Sequence, residues 1–276
     1  MTIIQIFILA LVQGITEFLP ISSSGHLILV PALTGWPDQG LLMDVAVHVG
    51  TLIAVLAYFW RDTKGLALAG LGSIGVAPAR RAIEGSHYQK LFWAMVIATI
   101  PMVIVGGIMV VTDANDALRN AEVIAATSIL FGILLYIADK RGATDKATEQ
   151  MAIKPALLIG LAQVLALIPG TSRSGVTMTA ARWLGFSRVE AARFSMLLSI
   201  PAILASGTAT TLKAIEEANM ALLGDAAIAA ALSCVAALLA IHFLMRWLAH
   251  ASMTVFVVYR VILGIGLFAM IGAGII

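Results

Sequence analysis

Long apolar runs alternate with short polar punctuation along this chain. Crossing a hydrocarbon core takes about 20 residues of helix. Six runs approach or exceed that length: 41–60, 91–112, 123–138, 194–212, 226–245 and 252–276. The charged residues and histidines within them are few, namely Asp44 and His48, then His242, then Arg260. Two further apolar stretches, 3–19 and 155–168, end in helix-breaking sequence before apolar sequence resumes. The breaks read Pro20-Ile21-Ser22-Ser23-Ser24-Gly25 and Pro169-Gly170-Thr171-Ser172-Arg173-Ser174-Gly175. The second run is too short for a ~30 Å core. Both segments are expected to be re-entrant helical hairpins, because broken backbone at membrane depth needs protein or a polar cavity to satisfy it.

The two breaks share an order. Each segment starts at a glutamine (Gln13 or Gln163), passes an apolar stretch, a proline and a hydroxyl cluster, and reaches a glycine (Gly25 or Gly175) at the same spacing. Loop charge then sets orientation by the positive-inside rule. Loop 61–90 carries Arg61, Lys64, Arg80, Arg81 and Lys90, and loop 139–154 carries Lys140, Arg141, Lys146 and Lys154, so both are placed inside. In 113–122, Asp113, Asp116 and Glu122 outweigh Arg119; in 213–225, Glu216, Glu217 and Asp225 outweigh Lys213; both are placed outside. Arg246 marks a short inner loop, and Arg182, Arg188 and Arg193 read as topology determinants facing headgroups. The first hairpin then enters from outside and the second from inside. The expected fold is an all-α polytopic membrane protein: six transmembrane helices plus two re-entrant helical hairpins in an inverted-topology repeat. The repeats are approximately 1–138 and 155–276, joined by cytoplasmic 139–154, and the functional site is expected where the tips meet near the midplane.

Composition agrees with a membrane solvent. Hydrophobic residues make up 61% and charged residues 12%, against roughly 25% charged in a soluble domain. A net charge of +2 gives no reason to expect nucleic acid. Cys234 is the single cysteine, which excludes an intramolecular disulfide. A cleaved signal peptide is not expected: residues 1–16 lack a basic region, and Glu17 falls where a small residue belongs.

The chemistry concentrates at the tips. The first offers Glu17, Ser22, Ser23, Ser24 and His26, the second Thr171, Ser172, Arg173 and Ser174. A charge at this depth costs ~2.5–3.5 kcal/mol on insertion scales, so Glu17 and Arg173 need a polar partner or a wet cavity. Hydroxyls and N–H groups after a helix break form an anion nest. An arginine fork fits phosphate. A carboxylate beside phosphate repels it unless it works as a base or holds a metal. His26 suits donation of a proton or hydrogen bond. Together these parts suit phosphoryl transfer. Plainer readings stand beside this one. Serine clusters often only satisfy broken backbone, and His87, His242 and His250 read as loop, structural or interfacial residues. Asp44 and His48, four apart on one helix face, read either as support for the site or as a polar helix–helix contact. Arg260 needs a partner.

At these residues the chain resembles a known family. Gln-Gly-Ile-Thr-Glu-Phe-Leu-Pro-Ile-Ser-Ser-Ser-Gly-His (13–26) and Pro-Gly-Thr-Ser-Arg-Ser-Gly (169–175) resemble the two signatures of bacterial undecaprenyl-diphosphate phosphatases of the bacitracin-resistance type. The likeness extends to Asp44 with His48-Val-Gly-Thr, to Phe59-Trp60-Arg61-Asp62, to Phe194-Ser195 with Ser199-Ile-Pro201, and to Tyr259-Arg260. It implies an enzyme of the bacterial cytoplasmic membrane that hydrolyses a C55 isoprenyl diphosphate to the monophosphate, recycling the carrier for peptidoglycan and conferring bacitracin resistance. It implies catalytic roles for Glu17, Ser23, His26 and Arg173, with Ser22, Ser172 and Ser174 alongside; with the tip hydroxyls of Ser24 and Thr171 these serines make up the expected substrate-binding set. It also implies a divalent cation, Mg2+ or Ca2+, with Glu17 in the base or metal role. The family's first motif often begins with Glu where this chain has Gln13. The expected partners are the polyprenyl diphosphate and membrane lipids, with a homodimer left open and the site opening to the extracytoplasmic side. The rival is a transporter or flippase of a polyprenyl phosphate lipid, since inverted repeats with broken helices are common in transporters.

The orientation is testable with single cysteines on a Cys234→Ala background and an impermeant maleimide. Position 146 is expected to stay unlabelled from outside in intact cells. Labelling there would sink the topology and the inverted repeat with it.

Overall fold

The computed structural model describes residues 1–112, 118–142, 145–216 and 220–276, with side chains described outside 208–222. Of the charges used for orientation, Asp113, Asp116, Lys213, Glu216 and Glu217 lie outside the described residues or side chains. The chain folds as twelve α-helices among the described residues: α1 (Ile3–Thr16), α2 (Ser23–Thr34), α3 (Leu41–Tyr58), α4 (Trp60–Ser73), α5 (Ala77–Ala82), α6 (Tyr88–Val111), α7 (Ala121–Arg141), α8 (Ile153–Gln163), α9 (Arg173–Trp183), α10 (Arg188–Glu216), α11 (Met220–His250) and α12 (Thr254–Gly272). Six of these, α3, α6, α7, α10, α11 and α12, are long and apolar enough to cross a membrane. They coincide with the six apolar runs.

The boundaries differ where packing intervenes. The 41–60 run stops at Tyr58 because Phe59 leaves helical angles (φ −100°, ψ 36°), and Trp60 opens α4 in a new direction. The 61–90 segment is therefore partly helical, as α4 and α5. Asp62 in the first turn of α4 is buried and pairs with Arg193 of α10 at 2.7 Å, which docks α4 on the bundle.

Helix α3 packs along α11 and also against α10, α1 along α11, α6 along α8, and α7 along α12, with α9 held among α7, α8 and α10. Gly50 permits the α3–α11 approach: the carbonyl of Ala230 occupies the space a Cβ would need. Ser233 Oγ of α11 donates to the Val47 carbonyl at 2.9 Å in the same seam. The core gathers Phe18, Leu91, Leu135, Met178, Phe186, Phe194 and Leu197. Outward faces carry Ile104, Val110, Leu239 and Ile262 in the open, the composition that lipid covers.

The reading of Arg182, Arg188 and Arg193 as headgroup-facing topology determinants is corrected. Arg182 is fully buried, pairs with Asp139 at 3.3 Å and donates to the carbonyls of Phe186, Asp139 and Gly142. Arg188 reaches the same carboxylate at 2.7 Å, and its other oxygen accepts the Met253 N–H at 3.2 Å. Arg193 pairs with Asp62, Glu149 and Glu190. Apart from Glu190, three residues from Arg193 on α10, the acidic partners are distant in sequence, so the charge pattern of a single stretch does not show them. Packing of the helices takes these guanidinium groups wholly or partly out of water, where a charge without a partner is costly, and the carboxylates supply the partner.

Arg260 has the most demanding position. It is fully buried, yet pairs with no carboxylate among the described residues. Its guanidinium instead donates to four backbone carbonyls: Ser128 at 3.1 Å, Thr127 at 3.2 Å, Pro20 at 3.4 Å and Gly170 at 3.0 Å. Pro20 and Gly170 belong to the two chain breaks, so one side chain holds both. Arg260→Leu removes the donor and leaves the Pro20 and Gly170 carbonyls at the two breaks without it in an apolar interior. The expected loss is about 3–5 kcal/mol, the scale for breaking a buried charged interaction. It is read as a large fall in thermal unfolding midpoint in detergent. Arg260→Lys, with a single donor head, is expected to recover only part of it.

Candidate functional site

The two breaks have the same local structure. Ser22 and Ser172 both adopt positive φ, 74° and 72°, and are the non-glycine residues that do so among those described. Such backbone costs of order 1–3 kcal/mol per residue and persists only where the surroundings impose it. Each serine then caps the next helix: Gly25 N–H donates to Ser22 Oγ at 3.3 Å, and Gly175 N–H to Ser172 Oγ at 3.1 Å. Each cap hydroxyl also meets the serine two residues on, Ser24 at 3.3 Å and Ser174 at 3.2 Å. Consequently Ser23 and Arg173 hold equivalent places, the first residue of α2 and of α9. Gly170, at φ +83°, lets the second tip sit tight against α7, where Thr127 and Ile124 fill the room of a Cβ. Ser174 Oγ donates across to the Leu19 carbonyl at 2.9 Å, joining the tips.

Glu17 lies between them, buried. Its Oε1 accepts from Arg173 Nη2 at 2.7 Å. Its Oε2 accepts from Ser23 Oγ at 2.6 Å and from Gln13 Nε2 at 2.9 Å. Thus one carboxylate ties a hydroxyl from the first tip to a guanidinium from the second. Arg173 Nη1 is buried and lacks a hydrogen-bond partner among the described residues, a donor left over for an anion. A cavity of about 150 Å³ opens here, lined by Glu17, Ser23, Ser24, Arg173 and His48, with Met102, Ala202 and Ile203 forming an apolar side. Two helix N-termini begin at this cavity, and their partial positive charge favours an anion in it.

The remaining expected residues take other places. Ser22 and Ser172 line the cavity, but their hydroxyls serve as caps. Thr171 and Ser174 are buried away from the lining. His26 is not among the lining residues; its Nδ1 faces the Ser22 carbonyl at 2.6 Å and its Nε2 bonds the Tyr259 hydroxyl. A carbonyl only accepts, so Nδ1 carries the proton and the ring braces the first tip against α12. His48 stands nearer the chemistry, with Nε2 3.9 Å from Glu17 Oε2. Its sequence signals were the Asp44–His48 spacing and its place in the family likeness. Gln13 also gains a role, orienting Glu17.

Mg2+ and Ca2+ ask for about six or more oxygen ligands. Here Glu17 offers both oxygens, but each is already engaged by Arg173, Ser23 or Gln13. No group of three His, Cys, Asp or Glu side chains able to hold a metal occurs among the described residues. Among the described residues the protein donors do not by themselves form a cation site.

A family model described as bacitracin resistance protein BacA matches residues 6–266. The chain is also similar to proteins named undecaprenyl-diphosphatase. It is 49% identical over 265 residues to that of Roseobacter denitrificans, covering 96% of this chain and 97% of the relative. The Jannaschia sp. and Campylobacter curvus proteins are each 51% identical over 265 residues, with the same coverage.

The ion pair has a stability signature. Removing one partner leaves the other's charge in the interior, at about 3 kcal/mol or more. Glu17→Gln and Arg173→Met should each lower the unfolding midpoint, and the double variant should regain much of the loss. Additive losses in this thermal cycle would mean that the two side chains are not coupled.

Proposed function

The chain belongs to the bacitracin resistance protein BacA family, and we propose that it hydrolyses undecaprenyl diphosphate to undecaprenyl phosphate and inorganic phosphate where Glu17, Ser23 and Arg173 meet. It is a multi-pass membrane protein, a hydrolase acting on a phosphoric anhydride. By drawing down the diphosphate it recycles the lipid carrier for peptidoglycan synthesis and confers bacitracin resistance. The observation that carries the mechanism is the double engagement of Glu17, with a hydroxyl on one oxygen and a guanidinium on the other.

The terminal phosphate enters the cavity, facing the N-termini of α2 and α9. Arg173 binds its oxygens with Nη1, the donor that has no other partner among the described residues. Ser23 Oγ attacks phosphorus and passes its proton to Glu17 Oε2, to which it already donates. The bond to the bridging oxygen breaks, and undecaprenyl phosphate leaves. This leaving group is an anion of a phosphomonoester and needs little acid help. The apolar side at Met102, Ala202 and Ile203 suits the first isoprene units.

The inverted repeat belongs to the same proposal. Equivalent caps, equivalent positive-φ serines and equivalent first helical residues support it. So does the packing, in which α1 on α11 is matched by α8 on α6. A second cavity of about 260 Å³ adjoins the first and reaches Arg119, in the loop assigned outside by charge. This supports an extracytoplasmic opening in the bacterial cytoplasmic membrane.

Detergent-purified protein is expected to release phosphate from a C15 or C55 diphosphate. Translocation of the lipid in vesicles without release would overturn the enzyme in favour of a flippase. Glu17→Gln should cut turnover by about 10², the scale of a general base. Arg173→Lys, which keeps charge but loses the fork, should lose about 10² in kcat, and Arg173→Ala nearly all activity. Near-normal kcat in Arg173→Lys would leave Arg173 as a counter-ion only.

A further inference from the structure

Ser24 and His48 line both cavities, and of the two His48 can take up a proton. His48 lines the inner one with Glu17, Ser23 and Arg173, and the outer one with Gln39, Asp44 and Arg119. Its Nδ1 faces the Asp44 carbonyl at 2.7 Å, which fixes the proton there because a carbonyl only accepts. Nε2 therefore carries the lone pair of the neutral ring, and it points at Glu17 Oε2, 3.9 Å away. The side chain is 36% exposed, open to whatever fills the cavities.

The reaction proposed above leaves a need that Glu17 cannot meet. Once Ser23 has attacked, Glu17 holds the serine's proton. Hydrolysis of the resulting phosphoserine requires a base for water, while Glu17 must keep its proton for the departing Ser23 oxygen. Arg119 and Arg173 cannot accept a proton at ordinary pH. Asp44 lines only the outer cavity and is engaged by Gln39 at 2.8 Å. His26 has both nitrogens committed.

Resting on that reading of Ser23, we propose that His48 is the base of the second half-reaction and that its water arrives from the outer cavity. Water gives a proton to His48 Nε2 as its oxygen bonds to phosphorus. The Ser23 Oγ–phosphorus bond breaks, and Oγ takes the proton back from Glu17. Inorganic phosphate forms, and the imidazolium returns its proton to water in the outer cavity. Glu17 thus serves the serine and His48, 3.9 Å from it, serves the water.

The test uses purified full-length protein and a C15 diphosphate labelled with 32P in its terminal phosphate, quenched in acid. In His48→Gln, one equivalent of lipid monophosphate per protein is expected to appear rapidly. Steady turnover should then be about 10² slower than wild type. The label should stay on the protein, on the peptide bearing Ser23, and vanish in Ser23→Ala/His48→Gln. Imidazole in the buffer should speed release of the label from His48→Ala. The rapid first turnover itself reports a folded site, and His48→Asn repeats the measurement with a smaller side chain. Wild-type-like turnover in His48→Gln would overturn the proposal. So would slow turnover with neither burst nor label, which would place His48 at the first step or outside the chemistry. Failure of the hydrolase reading itself looks different: the wild-type protein would release no phosphate at all.

Discussion

Broken backbone inside an apolar bundle must find hydrogen-bond partners, and Arg260 meets that constraint for both breaks together. A peptide carbonyl buried without a donor is costly, so two interrupted helices side by side are an unstable arrangement on their own. A guanidinium has five donors in a rigid plane. On Arg260 that plane reaches Pro20 of one break, Gly170 of the other, and two carbonyls of α7 between them. The neighbouring Tyr259 adds a second tether through His26 to the carbonyl of Ser22. With the tips pinned in this way, Ser22 and Ser172 can hold their strained angles. The helices that follow begin at one common cavity.

The site then divides its charge economically. Glu17 and Arg173 would each be expensive alone; paired across the tips they are tolerated, and they align a hydroxyl and an anion-binding fork on opposite oxygens of one carboxylate. On the other face of the molecule the same logic recurs without chemistry. Asp139 gathers Arg182, Arg188 and the Met253 N–H, while Arg193 joins Asp62, Glu149 and Glu190. These pairs fasten α4, α7 and the 145–154 segment to α9 and α10, so the scaffold beneath the tips is tied by charge as well as by packing.

Much of the fold was legible in the chain. Six apolar runs became six long helices, and the proline–serine breaks became the two interruptions, because length and hydropathy are local properties. The residues that face the cavity were partly legible. Glu17, Ser23 and Arg173 stood out as charge and hydroxyl where lipid should be, and the structure brings them within hydrogen-bond reach. What was not legible depends on distant partners. Arg182 and Arg193 read as surface charge because Asp139, Asp62 and Glu149 lie far away in sequence. Likewise, His26 and His48 look alike in a string of letters. Only the folded chain sends one ring to Tyr259 and the other to Glu17.

The equivalence of Ser23 and Arg173 carries a consequence of its own. Two copies of one structural device, capped alike and angled alike, differ at the residue that opens each helix. A pair of identical tips would treat both ends of a diphosphate alike. With a hydroxyl on one side and a fixed cation on the other, the cradle acquires a front and a back. A headgroup bound there as proposed is then read in a single sense, and two tips alike in backbone give the site polarity in its chemistry.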